Sequence, residues 1–104
     1  MSTGILGRAD LSATTETIVY TTPAGKTSSC TVSICNRSTS DPVKVRIAVT
    51  DLSTMTANSF IEFEASIPPA GVLERSAIVL GASEKIIVRS SAASVSAVIF
   101  GVEE

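Results

Sequence analysis

A chain of 104 residues is one domain, long enough for a single core but a thin one. The 8 basic and 10 acidic residues are scattered singly and leave a formal charge of −2. With no basic run to neutralise phosphates, nucleic acid is not an expected partner. No apolar run approaches the length of a membrane span, and the opening MSTGILGRAD lacks the cationic and apolar segments of a signal peptide, so synthesis in a cytosol is expected.

There is no Trp and aromatics make up 4 % of the chain, so Val, Ile, Leu and Ala must fill the interior. Ser and Thr together number 28. These residues lose χ1 freedom in a helix or compete for its backbone hydrogen bonds, which favours strands and turns.

In chain order, residues 1–13 show no clear period. Ile5, Leu6 and Leu11 are apolar, but Gly4, Gly7 and Asp10 interrupt them. This segment is expected to be an N-terminal arm or an edge strand, with residues 14–104 forming the sandwich proper. Gly4 and Gly7 make it flexible, and ordering it alone would cost about 1–2 kcal/mol per residue of backbone entropy. Burying its three apolar side chains would return only about 1.5–3 kcal/mol each. The arm is therefore expected to order on a neighbouring subunit or a host particle, with Ile5, Leu6 and Leu11 as its assembly residues.

Thr14 to Thr22 reads as a strand, followed by the turn Pro23-Ala24-Gly25. Lys26 to Asn36 is a second strand with Cys30, Val32 and Ile34 inward. Cys30 and Cys35 fall on opposite faces of it, roughly 16 Å apart, too far for a disulfide. After the polar loop NRSTSDP comes the clearest element, Pro42 to Asp51. There Val43, Val45, Ile47 and Val49 alternate with Lys44, Arg46, Ala48 and Thr50, the period of a half-buried strand.

Leu52 to Asn58 is a weakly patterned connection. In Ser59 to Ile67, Ile61, Phe63 and Ala65 alternate with Phe60, Glu62 and Glu64. Pro68-Pro69-Ala70-Gly71 repeats the earlier turn. Val72 to Leu80 has mixed facing, which a bulge would explain. Glu84 to Ser90 places Ile86 and Val88 inward, and Ser94 to Val102 is apolar on both faces, as in a strand that is central or lies under a partner. Seven or eight short strands with Gly/Pro turns and no long helical segment predict an all-β fold, a single antiparallel sandwich of jelly-roll or immunoglobulin-like type.

Catalytic chemistry has little to draw on. The absence of His removes the Ser-His and Cys-His arrangements, and with it most zinc sites. Glu62 and Glu64 share a face on simple alternation, roughly 7 Å apart, but a solvated strand face explains them as well. Cys35 has only Arg37 beside it as a cation. No catalytic residue, metal ligand or cofactor site is expected, and the chain is not expected to be an enzyme.

Three segments carry a resemblance: IVYTTPAGKTSSCTVSICNRS, FIEFEASIPPAGVLERSAIVLGASEKIIVRSS and SAVIFGVEE. Their motifs are Tyr20 to Lys26, Cys35 to Arg37, Leu73-Glu74 and Phe100 to Glu103. The chain resembles a group of small virion structural proteins of tailed bacteriophages, over most of residues 15–104. The resemblance implies a non-catalytic β-sandwich on the particle exterior, as a head-decoration subunit or a tail, neck, baseplate or fibre-base accessory. It implies a homo-oligomer with other capsid or tail proteins as partners. The alternative is a receptor- or carbohydrate-binding module, for which the four residues Tyr20, Phe60, Phe63 and Phe100 supply few stacking surfaces.

Overall fold

A computed structural model describes residues 2–104. Eight strands run β1 (Ser2–Leu11), β2 (Thr17–Thr21), β3 (Ser28–Asn36), β4 (Val43–Thr50), β5 (Phe60–Ile67), β6 (Val72–Leu80), β7 (Lys85–Ser90) and β8 (Val95–Glu103). They form two four-stranded antiparallel sheets, β1-β8-β3-β6 (sheet A) and β2-β7-β4-β5 (sheet B).

That order has a simple derivation. β1 pairs β8, β2 pairs β7, β3 pairs β6 and β4 pairs β5. The chain is thus one long hairpin with its tip between β4 and β5. Rolling the hairpin adds the pairs β3–β8 and β4–β7 and closes two sheets on each other. This is the eight-stranded jelly roll. The immunoglobulin alternative, which divides its strands ABED and CFG, does not have this order.

The core lies between the sheets. β3 supplies Cys30, Val32 and Ile34, and β4 supplies Val43, Val45 and Ile47. β7 adds Ile86 and Val88, and β8 adds Val95, Ala97 and Ile99. The strict alternation of β4 holds: its valines and Ile47 face in, while Lys44 and Arg46 face out. Cys30 and Cys35 are both free thiols, and burial pushes the Cys30 thiol up from its ordinary pKa.

Bulges in four strands adjust this frame. In β2 the register shifts at Val19, so Val19 and Tyr20 are both buried in succession. In β6 the step from Ile78 to Arg75 opposes the step from Cys30 to Val32, an extra residue that includes the positive-φ Ala77. It accounts for the mixed facing of Val72 to Leu80 in the sequence. In β5 one extra residue falls at Phe63-Glu64, with Glu64 at φ 54°, and a second at Ile61. This corrects simple alternation: Phe63 is exposed, and the two glutamates separate. Glu62 turns toward the sheet gap and binds Arg75 of β6 at 2.8 Å, while Glu64 stands on the outer face against Arg46. They are not a facing acid pair.

The remaining bulge is in β1, at Leu6. β1 corrects the expectation of an arm that must find its order elsewhere. It pairs with β8 along its whole length within the same chain, from Ser2↔Glu103 to Leu11↔Val95. The backbone hydrogen bonds of that pairing supply what the side chains alone could not. Residues 2–11 are therefore the edge strand of sheet A, not a unit apart from it; Met1 lies outside the described residues.

The two Pro-Ala-Gly turns also differ. In the first, Lys26 N donates to Pro23 O and Gly25 takes the left-handed position at φ 75°. In the second, Gly71 N donates to Pro68 O, so the left-handed position falls on Ala70 at φ 59°. An extra proline has shifted the frame by one residue.

Candidate assembly surface

Over Ile87 and Ala48, sheet B is covered on its outer side as well as its inner one. Ile87 and Ala48 are paired neighbours on that outer side, and both are fully buried. The connection from β4 to β5 explains this. Lys85 Nζ donates to Asp51 O, and Met55 N donates to Glu16, just before β2 at the far edge of the sheet. To reach Glu16 from β4, residues 51–58 must cross β7.

Among the described residues, nothing covers the outer face of sheet A in this way. The register sets out its rows across β1, β8, β3 and β6. One reads Thr3, Val102, Ser29, Val79; the next reads Ile5, Phe100, Thr31. A third reads Arg8, Val98, Ser33, Glu74, and the last reads Asp10, Ser96, Cys35, Val72. Ile5 is 60 % exposed, Phe100 38 %, Val102 39 % and Val79 72 %. Ile5 and Phe100 are direct cross-strand partners, and hydroxyl side chains separate them from Val79. Asp10 at the other end of β1 is held by Arg37, an exposed ion pair worth little to stability.

The three residues expected to mediate assembly do not lie on one surface. Ile5 is on this outer face. The bulge turns Leu6 toward the core, where it packs against the buried cluster. Leu11, at 2 % exposure, belongs to the core. The correction follows from strand pairing: β1 uses Leu6 and Leu11 to hold its own sandwich, which leaves Ile5 alone of the three on the surface. Phe100, Val102 and Val79 join it there. The signal for the first two was in the sequence, since a strand apolar on both faces has one face to cover; β8 is central, and only its inner side is covered.

The motif residues outside this surface are structural. Tyr20 Oη donates to Glu103 Oε2 at 2.7 Å, tying β2 of one sheet to β8 of the other. Burial, first, and the Glu103 hydrogen bond hold the Tyr20 pKa above its ordinary value. Asn36 is buried, and its Nδ2 donates to the carbonyls of Asp41, Ile67 and Pro68 at 2.9, 3.2 and 3.2 Å. Its Oδ1 accepts from Ser38 N at 3.0 Å. One side chain thus joins the loop after β3 to the turn after β5. Gly101 sits where β8 passes closest to β3: a Cβ there would lie 2.7 Å from Cys30 Cα and against the Ser29 carbonyl.

No protein-family model and no curated protein matches the chain. Among the solved structures similar to it are two of a pentameric capsid protein isolated from metagenomic phage sequences. Each is 16 % identical, covers 97 % of this chain and has a TM-score of 0.47. The chain spans 63 % and 62 % of their respective lengths.

What the outer face of sheet A offers chemically is non-covalent docking. It presents apolar side chains and hydroxyls, the charged Arg8, Asp10 and Glu74, and one thiol, Cys35, opposite Ser96 and Val72. Arg37, the nearest cation in sequence, is already engaged by Asp10.

Proposed function

We propose that this protein is a non-catalytic structural protein of a bacteriophage particle, an accessory subunit of the head or tail exterior that assembles with copies of itself. The observation that carries the reading is the uncovered apolar face of sheet A on a jelly roll whose own core is complete. Contiguous exposed apolar surface on a folded domain marks an interaction site. The sequence motifs that resemble small phage virion proteins point to the particle as its setting; Tyr20, Asn36 and Gly101 of those motifs serve the frame, and Phe100 and Val102 lie on the uncovered face.

The size of the face selects the kind of assembly. The exposed parts of Ile5, Phe100, Val102 and Val79 amount to about two whole side chains, so covering them contributes about 3–6 kcal/mol. Association costs an estimated 4–15 kcal/mol in lost freedom. A single such contact makes a weak pair. A closed ring, in which each copy is held on two sides, multiplies the contact without enlarging it. The free edge of β1 borders Ile5, so a second copy can bury the apolar face and satisfy the strand edge together.

The test is mass by light scattering at rising protein concentration. The wild-type chain is expected to form a discrete oligomer. Ile5→Lys and Phe100→Lys are expected to yield folded monomers with an unchanged far-UV spectrum and thermal midpoint. A monomeric wild type, or an oligomer that survives both substitutions, overturns the reading.

A further inference from the structure

On the opposite side of the molecule, the outer face of sheet B gathers positive charge at one end. Arg46 of β4 and Arg89 of β7 are direct cross-strand partners, and Lys44 lies two residues from Arg46 on the same face. Like charges placed directly opposite in a sheet are destabilising. Among the described residues, the only carboxylate lining this cleft is Glu64, and Thr14, Ser90 and Ser91 complete its walls. Three cations against one carboxylate leave a local formal charge of +2, in a chain whose total is −2.

The groups are held in different ways. Arg46 is fixed: its Nε and one terminal nitrogen each lie 3.2 Å from Glu64, and its guanidinium stacks 4.5 Å from the centre of the Phe63 ring. Among the described residues, the Arg89 guanidinium and the Lys44 ammonium have no hydrogen-bond or ion-pair partner. Glu64 owes its place to the left-handed residue of the β5 bulge, and Thr14, on the opposite wall, is left-handed as well at φ 54°. Strained backbone on both walls thus frames a cleft with two unanswered cations. The Arg46, Lys44 and Arg89 charges all hold the Glu64 carboxyl below its ordinary pKa, the Arg46 hydrogen bond most of all.

We infer that this cleft is an oxyanion-binding site, in which Arg89 and Lys44 bind a carboxylate or phosphate-like group beside the fixed Arg46–Glu64 pair. A guanidinium presents a planar fork that matches two oxygens of such a group, and an ammonium adds a movable donor. The Arg46–Glu64 contact is an example of the same chemistry already built into the wall. The ligand source is either a small free anion or an acidic segment of a partner protein. The inference does not rest on assembly through sheet A, which uses the other face.

The experiment is a titration of the isolated chain, at constant ionic strength, with inorganic phosphate in one arm and a tetraglutamate peptide in the other. It follows the Arg46 and Arg89 side-chain resonances and the Thr14 and Ser91 amides by NMR. At least one probe is expected to give saturable shifts confined to these groups, and the tighter probe assigns the source. Arg89→Gln and Lys44→Gln are each expected to weaken binding tenfold or more while the chain stays folded. Glu64→Gln is expected to tighten it several-fold by removing the competing carboxylate. Raising salt from about 0.02 to 0.2 M is expected to weaken it, because these charges are open to solvent. Absence of saturable shifts with both probes overturns the inference. So do shifts that survive both Gln substitutions, or shifts spread equally over Arg8, Lys26 and Lys85.

Discussion

Replacing Asn36 by aspartate keeps the side-chain shape and exchanges one NH2 group for an oxygen. In the native chain the two hydrogens of Nδ2 serve three carbonyls, those of Asp41, Ile67 and Pro68, so two of the three share one hydrogen. Asn36→Asp removes every one of these donors and sets a negative oxygen against the same carbonyls, in a side chain buried from solvent. Each buried polar group left unsatisfied costs about 1–3 kcal/mol, and placing a carboxylate there adds to it. The expected loss is about 3–5 kcal/mol at neutral pH, a large share of the roughly 5–15 kcal/mol that holds a domain of this kind. Asn36→Ala loses the same donors without the charge and is expected to cost less, about 2–3 kcal/mol. The site raises the pKa of the new carboxyl in the folded state. Its penalty is therefore relieved below the unfolded value of about 3.9 and grows as pH rises through the folded value. Urea unfolding of wild type and both variants at pH 4 and pH 7.5 reads the difference. An Asn36→Asp variant within about 1 kcal/mol of wild type at pH 7.5, or one less damaged there than Asn36→Ala, refutes the account of this network.

Three further substitutions test other parts of the frame. Tyr20→Phe removes a hydrogen bond to a carboxylate and is expected to cost about 1.5–3 kcal/mol in urea unfolding. Because the folded-state pKa of Tyr20 is raised, its contribution is intact below the unfolded value of about 10 and is lost as pH rises through the folded value. Wild type should therefore lose stability more steeply than Tyr20→Phe above that pH; parallel curves would contradict this. Gly101→Ala forces β3 and β8 apart and is expected to cost about 2–3 kcal/mol, lowering Tm by roughly 10–20 °C in a thermal melt. An unchanged Tm would mean that the two strands have room to spare. Ala70→Gly relieves a left-handed alanine and is expected to add about 0.5–1 kcal/mol, whereas Gly25→Ala is expected to subtract a similar amount. Equal effects of the same sign would show that the two turns share one frame after all.

Much of the fold was legible in the sequence because its signals are local. The alternation of Val43 to Val49 fixed a strand and its facing, and the spacing of turns fixed a sandwich. The mixed pattern of Val72 to Leu80 revealed its bulge. The bulge at Glu64 stayed hidden because Ser59 to Ile67 alternates acceptably without one; only the partner strand β4 shows that a residue is extra. β1 was hidden for another reason. Its ordering comes from backbone pairing with β8, nearly the whole chain away, and no local pattern reports such a partner. Of the candidate surface, Ile5 was legible. Phe100 and Val102 were half-legible, as one side of a doubly apolar strand. The cleft at Arg46 and Arg89 was not legible, since it depends on the register between β4 and β7, which the sequence of either strand alone leaves open.

The pairing of β1 with β8 has a consequence for how the chain comes into being. During synthesis β1 leaves the ribosome long before its partner. At about 5–20 residues per second, roughly 5–20 s pass before β8 is made. Until then β3 is left without its partner on that side as well, since it too pairs with β8. The nascent chain must keep Ile5, Leu6 and Leu11 from other strands until then. Gly4, Gly7 and the bulge at Leu6 make β1 a poor template for straying neighbours. The features that made this segment look unstructured in the sequence are those that keep it harmless while it waits.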